Sequence, residues 1–338
     1  MNSIVLLSQF LPILVLVLLG ALFGKRGLFT EAMIEGFKRI VTSISLPALL
    51  FLAFSHISVE GRLWFLALAV FASCALFGIL AHLPVRFLAL PRTSTMFLFQ
   101  GFEAGMLGYA LFTTLYGTKA LPAFASADLG QVLYVFTVLM FQLKREDIPI
   151  SSQPHSAAEQ SRQRDKKKVD AALIKIVVFM LSSPVIIAIL VGLLSSTFVP
   201  SAKGLPWAED GFLYPLLSTL GSMTTPLVSI VVGFGLRDLS LDSLGKSFVL
   251  IISRLSAVIL VGLSIIMFVL PVLGYGSLQA LALMTLFILP PPFIIPVFKK
   301  SDEDTSYIST VLSLYTLVSI VLAFIIALIW GSGKGGLL

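Results

Sequence analysis

The feature that most constrains this chain is the recurrence of apolar runs about 20 residues long, the helix length needed to cross a hydrocarbon core of about 30 Å. Read against glycine, proline and charge punctuation, these runs fall near 4–24, 38–57, 63–83, 94–117, 127–143, 171–197, 212–235, 247–270, 277–298 and 305–330 of a 338-residue sequence. The second is the most polar, because Lys38 and Arg39 open it and Thr42, Ser43 and Ser45 follow. Composition closes off a soluble reading: 57% of the residues are hydrophobic and 12% are charged, where an ordinary soluble domain carries about 25% charged residues. So few charges do not cover a globule of this size. The expected fold is an all-α polytopic membrane protein with ten transmembrane helices.

The net charge of +6 sits in the connections between apolar runs, which makes it a topology signal rather than a basic face for nucleic acid. Counting alternate loops, one side of the bilayer takes Lys25, Arg26, Lys38, Arg39, Arg86, Arg92, seven residues from Lys144 to Lys168, Arg237, Lys246, Lys299 and Lys300. The other side takes Arg62, Lys119, Lys203 and Lys334. The positive-inside rule then makes the first side cytoplasmic and leaves both termini outside, in a plasma membrane or bacterial inner membrane. The N-terminus has no basic region before its first apolar run, and this span is expected to be retained. Cys74 is the single cysteine, inside an apolar run, so no disulfide framework is available, and His56, His82 and His155 are too scattered for a metal site. No resident cofactor is expected.

Residues 146–168 are polar and rich in Ser, Gln, Lys and Arg, the composition of a flexible cytoplasmic linker. They divide the chain into a first five-helix repeat, 1–145, and a second, 169–338. Punctuation recurs across that division: Pro12 and Pro184 are 172 apart, Pro47 and Pro226 are 179 apart, and Gly105 and Pro291 are 186 apart. A five-span unit reverses its orientation when repeated, so two such halves form an inverted repeat, an architecture common among secondary transporters.

The fourth run is interrupted by Gln100-Gly101-Phe102-Glu103-Ala104-Gly105-Met106-Leu107-Gly108, and the ninth by Pro290-Pro291-Pro292 and Pro296. Glycine weakens a helix, proline removes donors and clashes with preceding carbonyls, and a carboxylate is costly in lipid. Non-helical backbone at membrane depth is tolerated only inside protein or against a water-filled cavity, so matched breaks point to one central site. Half-helix N-termini there would offer N–H groups to an anion. Two kinked helices packed with nothing between them are the plainer alternative.

Glu103 reads as the one acidic residue well inside a span. It is either a coupling or ligand residue, able to carry a proton or face Na⁺, or a carboxylate satisfied structurally within the bundle. Ionised, it repels an anionic substrate, which would need a proton or Na⁺ on Glu103, whereas a cationic substrate could pair with it directly. Arg254, two turns into the eighth run, reads as snorkelling to the interface in preference to binding substrate. Asp302-Glu303-Asp304 suit a helix N-terminus, with a bound divalent cation as the lesser alternative.

Around these breaks the sequence resembles the auxin efflux carrier family, which includes many bacterial permeases and is related more distantly to the bile acid:sodium symporters. The segments that carry the likeness are Ser45-Leu46-Pro47-Ala48-Leu49-Leu50-Phe51, Gly101 to Gly108, Pro226 to Leu236 with its Gly-Phe-Gly-Leu ending, and Leu289-Pro290 through Phe298 followed by Lys299-Lys300. The resemblance implies a scaffold from the first two helices of each half, a transport core from the other three, broken fourth and ninth helices forming a crossover, and a homodimer. Glu103 falls where plant members carry a substrate-contacting asparagine, and Gln131 where they carry a glutamine. Ala110 stands where the family usually has a proline.

The expectation is therefore a secondary transporter moving a small organic anion, such as a carboxylate, by elevator-type alternating access, with H⁺ or Na⁺ as a coupling ion; the anion is implied by the resemblance. Glu103 would be the central residue, Gln100 and Gln131 polar contacts, and Gly101, Gly105, Gly108, Pro290, Pro291 and Pro292 the shapers of the crossover backbone. Ser45, Thr224 and Thr225 would face the cavity from the scaffold. An intramembrane enzyme would need a nucleophile with its base or clustered metal ligands, and neither is visible. A membrane sensor holding a ligand in the same cavity without translocation is the competing class.

Overall fold

In hydrocarbon every backbone N–H and C=O has to find a partner within the protein, so the apolar runs fold as helices. The computed structural model describes residues 3–146, 182–198, 205–238, 243–298 and 302–333, and every regular element among them is helical. In chain order these are α1 (Ser3–Lys25), α2 (Glu31–Ser55), α3 (Gly61–Phe87), α4 (Arg92–Leu98), α5 (Tyr109–Tyr116), α6 (Thr118–Lys144), α7 (Pro184–Phe198), α8 (Tyr214–Gly235), α9 (Leu244–Val272), α10 (Ser277–Phe287), α11 (Ile295–Phe298) and α12 (Asp302–Gly333). Thr30 caps α2 by accepting from the Met33 N–H at 3.3 Å. Within α2 a π-helical turn at Val41–Ser45 precedes Pro47, widening the helix where the proline ring would otherwise meet a carbonyl.

Among the described residues six helical stretches are long and apolar enough to cross a membrane: α2, α3, α6, α8, α9 and Ser306–Ile329 within α12. Leu11–Lys25, α7 and α10 are shorter apolar helices. On α9, Leu260 and Phe268 are 69% and 70% exposed, a surface suited to lipid chains and not to water. The chain is thus an all-helical, multi-pass membrane protein. The fourth and ninth expected runs are not continuous helices, because each is broken midway. The linker expected at 146–168, beyond Glu146, and positions 171–181 of the sixth run lie outside the described residues. The fifth run begins earlier than its apolar pattern indicates, with Pro122 in the first turn of Leu121–Tyr134, where its missing N–H costs nothing. That shift puts Asp128 inside the helix and corrects the expectation that Glu103 is the lone interior acid.

Close helix contacts are made through glycine. A methyl group at Gly20 of α1 would overlap the Ile230 carbonyl of α8, and one at Gly233 of α8 would overlap the Val17 carbonyl of α1. In the same way a Cβ at Gly192 of α7 would lie 3.0 Å from the Phe51 carbonyl of α2, and Gly130 of α6 lies on the Ala67 carbonyl of α3. Such contacts replace the hydrophobic drive that lipid does not supply.

At the first break, α4 ends at Leu98 and helical backbone resumes at Ala104; at the second, α10 ends at Phe287 and α11 starts at Ile295. The two non-helical segments meet, with the Glu103 N–H donating to the Pro290 carbonyl at 2.8 Å. Gly101 has φ +65°, and a Cβ there would lie 2.8 Å from Val135 Cγ2 and 3.0 Å from Pro292 Cγ, so glycine is required by conformation and by space. Arg254 overturns the snorkelling expectation. It is fully buried and donates to the Gly101 carbonyl and, at 3.5 Å, to the Leu289 carbonyl, one from each break. Its guanidinium lies 5.2 Å from the Phe102 ring centroid and 5.0 Å from that of Tyr315. Phe102, Phe77 and Phe287 pack edge to face around the same point.

Two consequences are measurable as melting temperatures in lipid nanodiscs. Alanine at Gly20 or Gly192 will destabilise by about 1–3 kcal/mol through overpacking, with Gly20 the worse; alanine at Gly36, which has nothing within 4 Å, will not. Arg254→Ala strips the donor from two buried carbonyls at about 1–3 kcal/mol each, and Arg254→Lys, a compact ammonium without the planar fork, will recover only part of the loss.

Candidate functional site

Glu103 stands where the first break ends, and its side chain caps the helical turn after it. Oε1 accepts from the Met106 N–H at 3.0 Å, in the π-helical turn that leads into α5, and Oε2 accepts from the Phe293 N–H at 2.6 Å, just before α11. One carboxylate therefore joins the starts of two helical segments from opposite halves of the sequence. The two N–H groups lie in the first turn after the first break and just before the segment that follows the second. Each carboxylate oxygen thus accepts one backbone N–H.

The other sequence candidates divide by location. Gln100 and Gln131 are buried beside the breaks and engaged: Tyr134 Oη donates to Gln100 Oε1 at 2.5 Å, Gln100 Nε2 donates to the Met96 carbonyl at 2.9 Å, and Gln131 Nε2 donates to the Phe102 carbonyl. Both glutamine side chains thus position the first break as well as lying near it. Gly105 approaches Leu46 of α2, where a Cβ would lie 3.5 Å from Leu46 Cδ2, and Gly108 fits between Leu289 and Phe124. Pro290 supplies the carbonyl to Glu103, Pro291 is buried, and Pro292 packs on Gly101 and accepts from the Ile295 N–H at 3.2 Å. Ser45 and Thr224 lie elsewhere: both are fully buried, with their hydroxyl oxygens 2.5 Å apart between α2 and α8. They join two helices and do not line the cavity between α2, α5, α6 and α8. Thr225 does.

That cavity, of about 190 Å³, lies between α2 and α8 on one wall and α5 and α6 on the other. Leu49, Leu52, Leu121 and Pro122 give it apolar surface, and His56, Lys119 and Glu209 bring polar groups to it. Such mixed lining suits a small amphipathic solute. Glu103 is not among the lining residues.

Sequence reasoning missed three participants. Arg254 was visible as a cation in an apolar run, but its reach to both breaks was not. Tyr134 and Ser319 are ordinary residues until folded; Ser319 Oγ donates to the Ile288 carbonyl at 2.6 Å, satisfying the end of α10. Among the described residues no group of His, Cys, Asp and Glu is arranged to hold a metal.

A comparison with curated proteins finds no match. A family model described as membrane transport protein matches residues 5–330, nearly the whole chain and both breaks. The chain therefore belongs to the membrane transport protein family, that of the auxin efflux carriers, whose members are transporters.

Proposed function

We propose that this protein is a secondary transporter of the plasma membrane, or bacterial inner membrane, that moves a small organic anion such as a mono- or dicarboxylate by elevator-type alternating access. The observation that carries the reading is the Glu103 carboxylate held by the Met106 and Phe293 N–H groups. An external carboxylate presents the same two-oxygen acceptor to the same donors. It takes the seat as Glu103 leaves it, so substrate binding and the position of Glu103 are linked reciprocally.

Ten spans in two inverted halves, 1–145 and 169–338 around the cytoplasmic linker 146–168, are the topology of this proposal, with both termini outside. Paired contacts support it. Gly20 packs on the Ile230 carbonyl and Gly192 on the Phe51 carbonyl; the glycines are 172 apart and their partners 179 apart, the same offsets as Pro12/Pro184 and Pro47/Pro226. Ser45 and Thr224, also 179 apart, touch each other, as equivalent residues do on a two-fold axis. In this reading α1, α2, α7 and α8 are the scaffold. The hydrogen bonds that hold the breaks come from α6, α9 and α12, all in the core, so the core can slide with its site intact. One bond does cross the boundary, from Ser313 to the Gly235 carbonyl at the end of α8. A homodimer and coupling to H⁺ or Na⁺ complete the proposal.

The test is uptake of radiolabelled acetate, malonate and succinate into proteoliposomes under separately imposed pH and Na⁺ gradients. Saturable, gradient-driven uptake of at least one is expected. Glu103→Gln, which turns an amide N–H₂ toward one of the two donors, weakens the occupant that substrate displaces by the worth of one charge-assisted hydrogen bond, about 1.5–3 kcal/mol, so the KM for the transported carboxylate will fall about tenfold or more. An unchanged KM in the mutant would leave Glu103 a structural cap. Binding of these solutes without uptake under any gradient would replace the transporter by the sensor.

A further inference from the structure

Asp128 is the second carboxylate in the core, and its surroundings differ from those of Glu103. It lies inside α6, 2% exposed, and accepts one hydrogen bond, from Tyr109 Oη to Oδ2 at 3.1 Å. Its other oxygen, Oδ1, is buried and has no hydrogen-bond partner. The ion pairs among the described residues, Lys38 and Arg39 with Glu35, Arg62 with Glu60 and Arg237 with Glu31, leave Asp128 out. Arg254 is committed to the Gly101 and Leu289 carbonyls.

The elements packed on this part of α6 are α2, α3, α5 and α10. Their titratable groups are Tyr109 and Tyr116 on α5, Cys74 with Arg62, His82 and Arg86 on α3, and Glu31, Glu35, Lys38 and Arg39 on α2, with His56 just past its end; α10 has none. On α6 itself the others are Tyr134, Lys119 and Lys144. Glu103, on the break beside α5, is the neighbouring carboxylate. Nothing in this set supplies Asp128 with a paired cation among the described residues. A carboxylate in such a place retains charge only at high desolvation cost, and a neighbouring anion adds to it. The stacked rings of Phe124 and Phe112, with Phe124 edge to face against Tyr109, wall the pair with carbon and not with the oxygen shell a metal ion requires.

We propose that Asp128 is a proton-binding site of the transport core: it holds a proton on Oδ1 while Tyr109 donates to Oδ2, and this proton is the coupling ion. The inference deepens the transporter reading and depends on it for the word coupling, but not for the proton itself. Glu103, with both oxygens held by N–H donors, is the substrate mimic. Asp128, with one donor and a bare oxygen, is the carboxyl whose charge changes. The two tasks assigned jointly to one residue on sequence grounds fall to two.

The proton is observable without a substrate. Infrared difference spectra of the full-length protein in liposomes, prepared with unlabelled or carboxyl-¹³C aspartate at neutral pH in choline buffer, will show the carbonyl stretch of a protonated acid that shifts with the label; aspartates in water are ionised there. The band will vanish in Asp128→Asn, persist in Glu103→Gln, and move in Tyr109→Phe, which keeps the ring and removes the donor. Tyr109→Phe in labelled protein also serves if Asp128→Asn fails to fold. No aspartate band, a band surviving Asp128→Asn, or a band unmoved by Tyr109→Phe would overturn the assignment. A band abolished by Na⁺ would transfer the site to sodium. None of these outcomes depends on uptake of any carboxylate, so this inference and the transporter reading fail separately.

Discussion

A helix that breaks within a bilayer leaves backbone donors and acceptors that neither water nor lipid can satisfy. Everything distinctive in this structure answers that constraint. Each break supplies part of the other's remedy, as the Glu103 N–H reaches the Pro290 carbonyl and the Glu103 carboxylate reaches the Phe293 N–H. Arg254 takes a carbonyl from each side. Neither break is satisfied in isolation, so the two form one unit, and a site made from them exists only when both halves of the sequence are folded around it.

The same economy of partners separates the two buried acids. Glu103 accepts from two N–H groups and Asp128 from one hydroxyl, that of Tyr109, whose ring packs edge to face on Phe124. Burial is similar at 8% and 2% exposure, and the difference lies in the donors: both Glu103 oxygens accept an N–H, whereas one Asp128 oxygen is left without a partner.

Much of the architecture was legible as a one-dimensional pattern. Apolar runs, proline clusters and loop charges each act locally, so the helices, both breaks and the family likeness could be read without coordinates. The features that escaped are those that depend on the third dimension. Asp128 was hidden by a misplaced helix start, since Pro122 looks like a boundary and is in fact a first-turn residue. Arg254 was assigned to the interface because an isolated cation in an apolar run has a cheap way out, and its real partners are 153 and 35 residues away. Ser45 and Thr224 were rightly noticed beside prolines, but a pattern does not say whether two hydroxyls face a cavity or each other.

The placement of polar and apolar contacts then bears on motion. Glutamine, arginine and serine side chains from α6, α9 and α12 anchor the breaks, whereas the approach to α2 is Gly105 against Leu46. Moving the core past the scaffold would break few directional bonds at that contact, while deforming the breaks would expose several buried backbone groups together. In the proposed transporter, a rigid displacement of the core then breaks fewer hydrogen bonds than a local rearrangement of the breaks. The glycine contacts of α1 with α8 have the complementary character, backbone against backbone, and Gly192 of α7 packs on the Phe51 carbonyl and Phe54 Cβ of α2. They resist sliding, which is what a frame must do if something else is to move within it.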